Sequence, residues 1–233
     1  MIVAAVIVLL HPEGRAEPTM RLRSLWLRTV DYMVFAVIAY GAFWIVLDRI
    51  LVKRKLSKQR RPLKRQMLAE AAFSSMTNAF AVGIGLWLAT WLNPSIDAKV
   101  YGEIGEYGWP YYLVWVLAIF FLHDTWFYWT HRPLHWRPLF DRFHRTHHES
   151  REPTPFTTFH FHPVESVIEV LGGWVIVLPM IFLPWHESLL AVWFFGMLFF
   201  NTIGHLGYEL YPSWWHRVPI LSMKTTCMHH YMH

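Results

Sequence analysis

The stretch "HRPLHWRPLFDRFHRTHHES", residues 131–150, gathers five histidines in a chain that is otherwise largely apolar. His131 and His135 stand four residues apart, and His144, His147 and His148 follow i, i+3, i+4 spacing, so on helices each set projects from one face. Neutral imidazole is a good donor to Zn, Fe, Cu or Ni. Five or more imidazoles exceed what one tetrahedral site uses, so two metals follow more naturally than one. Histidines packed this closely would repel if protonated unless a metal held them neutral. Cys227 is the single cysteine, which excludes an intrachain disulfide, a Cys-rich metal site and an iron–sulfur cluster. Isolated His11, His186 and His216 read instead as ordinary hydrogen-bonded residues near an interface.

The elements that must position these groups are membrane helices. A 55% hydrophobic composition with 14 Trp and 17 Phe describes a chain with lipid around much of its surface. Windows of spanning length fall at 33–52, 72–92, 109–130, 166–185 and 188–207. The expected fold is therefore all-α: an integral membrane protein of about four to five transmembrane helices with a cytoplasmic, histidine-rich di-metal cap. Pro133 lies between His131 and His135, so that helix must kink or restart there. The opening "MIVAAVIVLL" is too short to span and lacks a basic leader, which makes Met20 an alternative start.

Charge sets the orientation. "KRKLSKQRRPLKR" (53–65) carries eight Lys or Arg and no acid, whereas the connection 93–108 has Lys99 against Asp97, Glu103 and Glu106. The positive-inside rule puts the first of these in the cytoplasm, outweighing Arg21, Arg23 and Arg28 before the first span. Counting spans from there brings 131–165 back to the cytoplasmic side and makes 166–207 a hairpin turning at "LPWHE" on the far side. Fourteen of the 15 histidines lie from His123 onward, and those of the cluster then share one face of the membrane. The basic run has no interleaved aromatics, so nucleic acid is not an expected partner.

The stretches "HDTWFYWTHRPLH", "HRTHH", "HFHPVE", "NTIGHLGYE" and "HHYMH" together resemble the fatty acid hydroxylase superfamily, and within it the sterol desaturase branch. The resemblance covers roughly 109–233. It implies a membrane-embedded helical protein whose histidines hold two iron ions that activate O2 on the cytoplasmic side, with zinc a possible substitute. Carried over by position, the metal ligands are His131, His135, His144, His147, His148, His205, His230 and His233. His123, His160, His162 and His229 are flanking alternatives that either bind metal or support those that do. Asp124, in the "HD" element, and Asn201, in the N-x-x-x-H element, are the matched non-histidine positions and the expected catalytic residues. The last box reads His230 to His233 where the family has one more histidine, an expectation of a product shortened at its C-terminus.

Cleaving an unactivated C–H bond needs oxidising metal chemistry that no side chain supplies. Acids near the cluster, Asp124, Glu149 and Glu165, could orient imidazole N–H groups. The chain carries no Gly-rich nucleotide fingerprint and no haem-attachment cysteine pair, so the electrons must come from elsewhere; the resemblance implies a ferredoxin or cytochrome b5-type donor with its reductase. The basic loop offers such an acidic carrier a docking face. The substrate is a lipid entering from the bilayer: sterol-like, fatty acyl or otherwise apolar. Trp126, Phe127, Tyr128 and Trp129 either line its route or form an interfacial belt. The domain reading is an N-terminal segment 1–32, a helical region 33–108 and a catalytic region 109–233. Two other functional classes compete, a haem-carrying membrane protein and a non-catalytic scaffold.

Overall fold

The computed structural model describes residues 18–56, 64–97, 99–150, 153–218 and 226–228 and, of 18–26, 88–97 and 216, the backbone only. The opening apolar segment, His11, His229, His230 and His233 lie outside the described residues.

Five long helices dominate: α1 (Pro18–Tyr40), α2 (Lys64–Asp97), α3 (Gly108–Leu134), α4 (Pro163–Phe182) and α5 (Leu189–Gly204). A π turn, Gly41–Val46, prolongs α1. By length and composition three segments among the described residues can cross a membrane: Leu27–Val46, Gly108–Leu134 and Pro163–Phe182. Their outward faces are apolar, with Ile38 64%, Leu117 72% and Phe182 69% exposed, as lipid-facing surfaces should be. The expected span 72–92 lies inside the 34-residue α2. The window 188–207 is instead cut to 16 helical residues, roughly 24 Å against the ~30 Å of a hydrocarbon core. Gly207, with φ 80°, turns the chain sideways just after α5, in a conformation only glycine adopts cheaply.

The helices pack as a bundle in which α2 runs beside α4, α1 lies against α2 and α5, and α3 lies against α4 and α5. Two small residues permit the close approach of α3. A Cβ on Gly172 of α4 would meet Trp126 Cδ1 at 2.5 Å, and one on Gly196 of α5 would meet Phe120 Cζ at 2.2 Å. At one end of the bundle, β1 (Val100–Tyr101) pairs in parallel with β2 (Trp185–His186). This joins the 93–108 connection to the "LPWHE" turn, as expected of two segments sharing a side. Beneath them Trp115, Ile119, Ile176, Met180, Trp185 and Leu189 form an apolar core.

At the opposite end, the segment after α5 is strapped onto α1. Trp44 donates its indole N–H to the Leu206 carbonyl (2.8 Å), Tyr208 donates its hydroxyl to Asp48 (2.6 Å), and Leu56 N–H bonds Gly207 O (2.9 Å). Lys55 completes the strap with an ion pair to Asp48 at 2.7 Å, its ammonium lying over the Trp44 ring. The start of the basic loop therefore sits at the same end as His205.

Candidate metal centre

α3 delivers the first histidines. Pro133 falls in its last turn and His135 is its C-cap, so the chain neither kinks nor restarts between His131 and His135. The missing proline N–H falls where the helix is already ending. Trp136 is extended, a three-residue helical turn follows, and Phe140–His144 forms a π turn before Arg145–His148 returns to α geometry.

The three histidines that follow keep to one face, their ring centroids 5.5 Å (His144–His147), 4.7 Å (His144–His148) and 5.4 Å (His147–His148) apart. His144 and His148 point toward His135, whereas His147 points toward His205. The His131 and His135 Nε2 atoms stand 3.2 Å apart, His135 and His144 3.2 Å, and His144 and His148 3.0 Å. The candidate ligand atoms of His131, His135 and His144 all lie within 4.8 Å of one another. Nitrogens bound roughly 2.0–2.1 Å from a common ion lie roughly 2.8 to 3.4 Å from each other, depending on whether the geometry is octahedral or tetrahedral. The spacing of this group therefore fits a shared ion. His147 Nε2 and His205 Nε2 stand 3.5 Å apart, a second pair beside the first group, and the His144 and His147 rings stack with centroids 5.5 Å apart.

Two further hydrogen bonds fix which nitrogen faces inward. His144 Nδ1–H is donated to Glu165 Oε1 at 2.8 Å, both side chains being fully buried. His205 Nδ1–H is donated to the Asn201 carbonyl, also at 2.8 Å. A carboxylate and a carbonyl can only accept, so each Nε2 keeps its lone pair for the cluster. Glu165 reaches His144 from the first turn of α4, which is started by Pro163 and by the His162 ring accepting Val164 N–H.

Other expected residues stand elsewhere. His162 is that helix cap. His160 donates Nδ1–H to the Thr146 carbonyl (3.0 Å) and packs on Phe73, and burial pushes its pKa down. It braces the backbone of the 144–148 box. Asn201 acts on His205 through its main chain, while its amide donates to Met197 Sδ at 3.1 Å. His123 lies two turns before His131 on α3, against Trp193. Asp124 is near Tyr211, whose hydroxyl pKa is raised by burial and by the nearby carboxylates Glu209 and Asp124. Glu209 receives the backbone N–H groups of Tyr211 and Met228, both at 2.8 Å, and so ties residue 228 to the segment carrying His205. His186, at the far end, bonds Ser188 and packs among Tyr101 and Tyr112.

Beneath the cluster is an apolar cavity of ≈ 300 Å³ walled mainly by α2, α4 and α5, with His123 and Phe127 contributed by α3 and Arg28 by α1; Glu169, Trp174, Trp193 and Asn201 are among the rest of its lining. Phe127 stacks on His131 and Phe161 lies against His147, so two aromatic rings separate the cavity from the imidazoles. The aromatic run 126–129 therefore divides: Phe127 faces the cavity, Trp126 bonds the Ile168 carbonyl, and Tyr128 and Trp129 are exposed. Glu169 stands outside the residues expected from sequence. Its signal was a carboxyl one turn beyond Glu165 in an otherwise apolar helix.

A helical membrane protein with a buried polyhistidine cluster at one end and an apolar cavity beneath it is the class that fold and site define. Residues 116–233 match the family model described as "Fatty acid hydroxylase", and the chain belongs to that family. It is 31% identical over 144 residues to lathosterol oxidase of Mus musculus, covering 60% of this chain and 46% of that protein. Methylsterol monooxygenase of Aspergillus fumigatus shares 27% over 201 residues, covering 82% and 66%. Delta(7)-sterol 5(6)-desaturase of Candida dubliniensis shares 28% over 204 residues, covering 85% and 49%. The chain spans about half the length of most of the curated relatives it matches. No solved structure gives a significant match.

Proposed function

We propose that this chain is the catalytic region of a membrane-bound oxygenase that hydroxylates or desaturates a lipid, with two histidine-held iron ions, O2 and externally supplied electrons. The observation that carries the reading is the run of three Nε2 contacts from 3.0 to 3.2 Å through His131, His135, His144 and His148. With the His144 Nδ1–H committed to Glu165, its Nε2 lone pair is left for a ligand, and nitrogens at this spacing converge as donors to a shared cation do. His131, His135, His144 and His148 would hold one ion; His147 and His205, with His229, His230 and His233, would hold the other. Bound iron would supply the oxidising power for C–H cleavage.

The protein's own part is orientation and exclusion of water. Glu165 and the Asn201 carbonyl hold two imidazoles in the ligating tautomer, and the cavity keeps the reacting carbon in an apolar surround. In a hydroxylation one oxygen atom enters the C–H bond and the other leaves as water, using two electrons and two protons. In a desaturation both oxygens leave as water. A ferredoxin or a cytochrome b5-type carrier would bring the electrons to the end that carries His205, which the positive-inside rule makes cytoplasmic in this reading, since the start of the basic loop lies there. The names of the relatives favour a sterol-like substrate. A haem reading loses its ground here. Imidazoles on opposite sides of a haem iron need their nitrogens roughly 4 Å apart with the macrocycle between them, and these nitrogens are closer than that.

Metal analysis of purified full-length protein, with lipid profiling of the expressing host, tests the reading. About two ions per chain, iron or substituting zinc, and an oxidised lipid absent from His144→Ala and His147→Ala hosts are expected. A haem spectrum without non-haem metal, or the same lipid product from wild type and both variants, would reject it.

A further inference from the structure

Inside a membrane an ionisable side chain is costly unless something pairs with it, and such residues mark binding sites. α4 carries Glu169 on the cavity wall, one turn beyond the Glu165 that holds His144. Glu169 Oε1 is buried with no hydrogen-bond partner among the described residues, and the same is true of the Nδ2 of Asn78, a cavity residue only 4% exposed. The register of the wall is set by Thr77 Oγ1 on the Phe161 carbonyl and by Gly85 against Val170. α2 and α4 run in the same direction, so Asn78 lies nearer the histidines than Glu169, by roughly 9 Å at the helical rise. The deeper wall, with Leu86, Trp174, Val177 and Leu190, is apolar.

We propose that Glu169 anchors the hydroxyl group of the lipid substrate, so that the cavity selects lipid alcohols over hydrocarbons and free acids; this rests on the oxygenase reading above and narrows its substrate class. A buried carboxyl needs a donor, and a hydroxyl brings one without a charge. A substrate carboxylate would set two acids against each other. Arg28, the arginine of the wall, is taken up by Asp31 at 3.2 Å and lies over the Phe194 ring, so it offers no open counter-charge for a phosphate or carboxylate headgroup. A pure hydrocarbon would leave both polar atoms unsatisfied. With its hydroxyl on Glu169, the lipid presents the carbons nearest that group toward Asn78, Phe127 and the imidazole end.

The test measures binding to the full chain in phospholipid nanodiscs by quenching of tryptophan fluorescence, since Trp174 and Trp193 line the cavity. Cholesterol against cholest-5-ene, its 3-deoxy counterpart, probes a polycyclic alcohol, and 1-hexadecanol against hexadecane probes a linear one. In at least one pair the alcohol should bind about tenfold tighter, the worth of one hydrogen bond to a carboxyl group, and that pair identifies the lipid skeleton. In Glu169→Leu the preference should fall below about threefold. Equal binding of alcohol and hydrocarbon by the wild type in both pairs overturns the proposal without needing any variant to fold. A preference that survives Glu169→Leu overturns it as well. Metal content and lipid product from the same preparations separate the two readings. Metal and product without a hydroxyl preference reject the anchor alone, and their absence rejects the oxygenase.

Discussion

Removing the Glu165 carboxylate isolates the support that α4 gives the cluster. Glu165 and His144 are both 0% exposed and joined at 2.8 Å, so Glu165→Ala leaves a buried imidazole N–H without its acceptor. An orphaned buried polar group costs about 1–3 kcal/mol. The same interaction holds His144 Nε2 toward both His135 and His148, at 3.2 and 3.0 Å. Partners that orient a metal-binding histidine are typically worth about 10- to 100-fold in metal affinity, or about 1.4–2.7 kcal/mol, so the two routes to the magnitude agree. Glu165→Gln retains an oxygen that accepts Nδ1–H and should lose less than about tenfold. Competition of purified protein against a graded series of chelators, read as bound metal per chain, gives the ratio directly. Wild-type metal affinity in Glu165→Ala would show that the His144–Glu165 bond does not prepare the site, and would refute the reasoning.

Other perturbations have equally definite outcomes. His186→Ala should leave bound metal at the wild-type level while His205→Ala lowers it, because His186 belongs to β2 at the other end of the bundle. Elemental analysis of both variants distinguishes the two positions. Gly172→Ala should destabilise the protein by about 1–3 kcal/mol, since its Cβ would strike the Trp126 ring and break the 3.1 Å bond to the Ile168 carbonyl; thermal unfolding in detergent measures it. Burial pushes the Cys227 thiol up to about 12, so the reactive thiolate is absent from the folded protein at neutral and mildly alkaline pH. Maleimide should label Cys227 only after denaturation. That silence permits a topology test, in which cysteines replacing Glu103 and exposed Arg137 should be labelled from opposite sides of intact membranes, with Arg137→Cys reached from the cytoplasm.

How much of this protein was legible without coordinates differs between its levels. Ligand chemistry is a property of the side chain, so His131, His135, His144, His147 and His148 stood out as candidate ligands through type and spacing, and His205 through the family resemblance. Long apolar runs declared membrane helices because no other element satisfies its backbone in lipid. The charge contrast between 53–65 and 93–108 likewise anticipated two different ends, and the strap at Leu56 and the strand pair at Tyr101 occupy opposite ends of the bundle. Spacing put His144, His147 and His148 on one face but did not divide them: His144 and His148 join His135 while His147 meets His205, a division made by where the end of α3 and the end of α5 deliver their histidines. Nor could local spacing separate Glu165 from Asp124 as the carboxylate that supports the cluster. That choice rests on packing the first turn of α4 against a segment 21 residues earlier in the chain. The roles of His162 as a helix cap and of Asn201 as a main-chain acceptor depend on where helices begin and end. The cavity belongs wholly to tertiary structure, because its walls draw on all five long helices and its polar atoms are conspicuous only once burial has removed them from other partners.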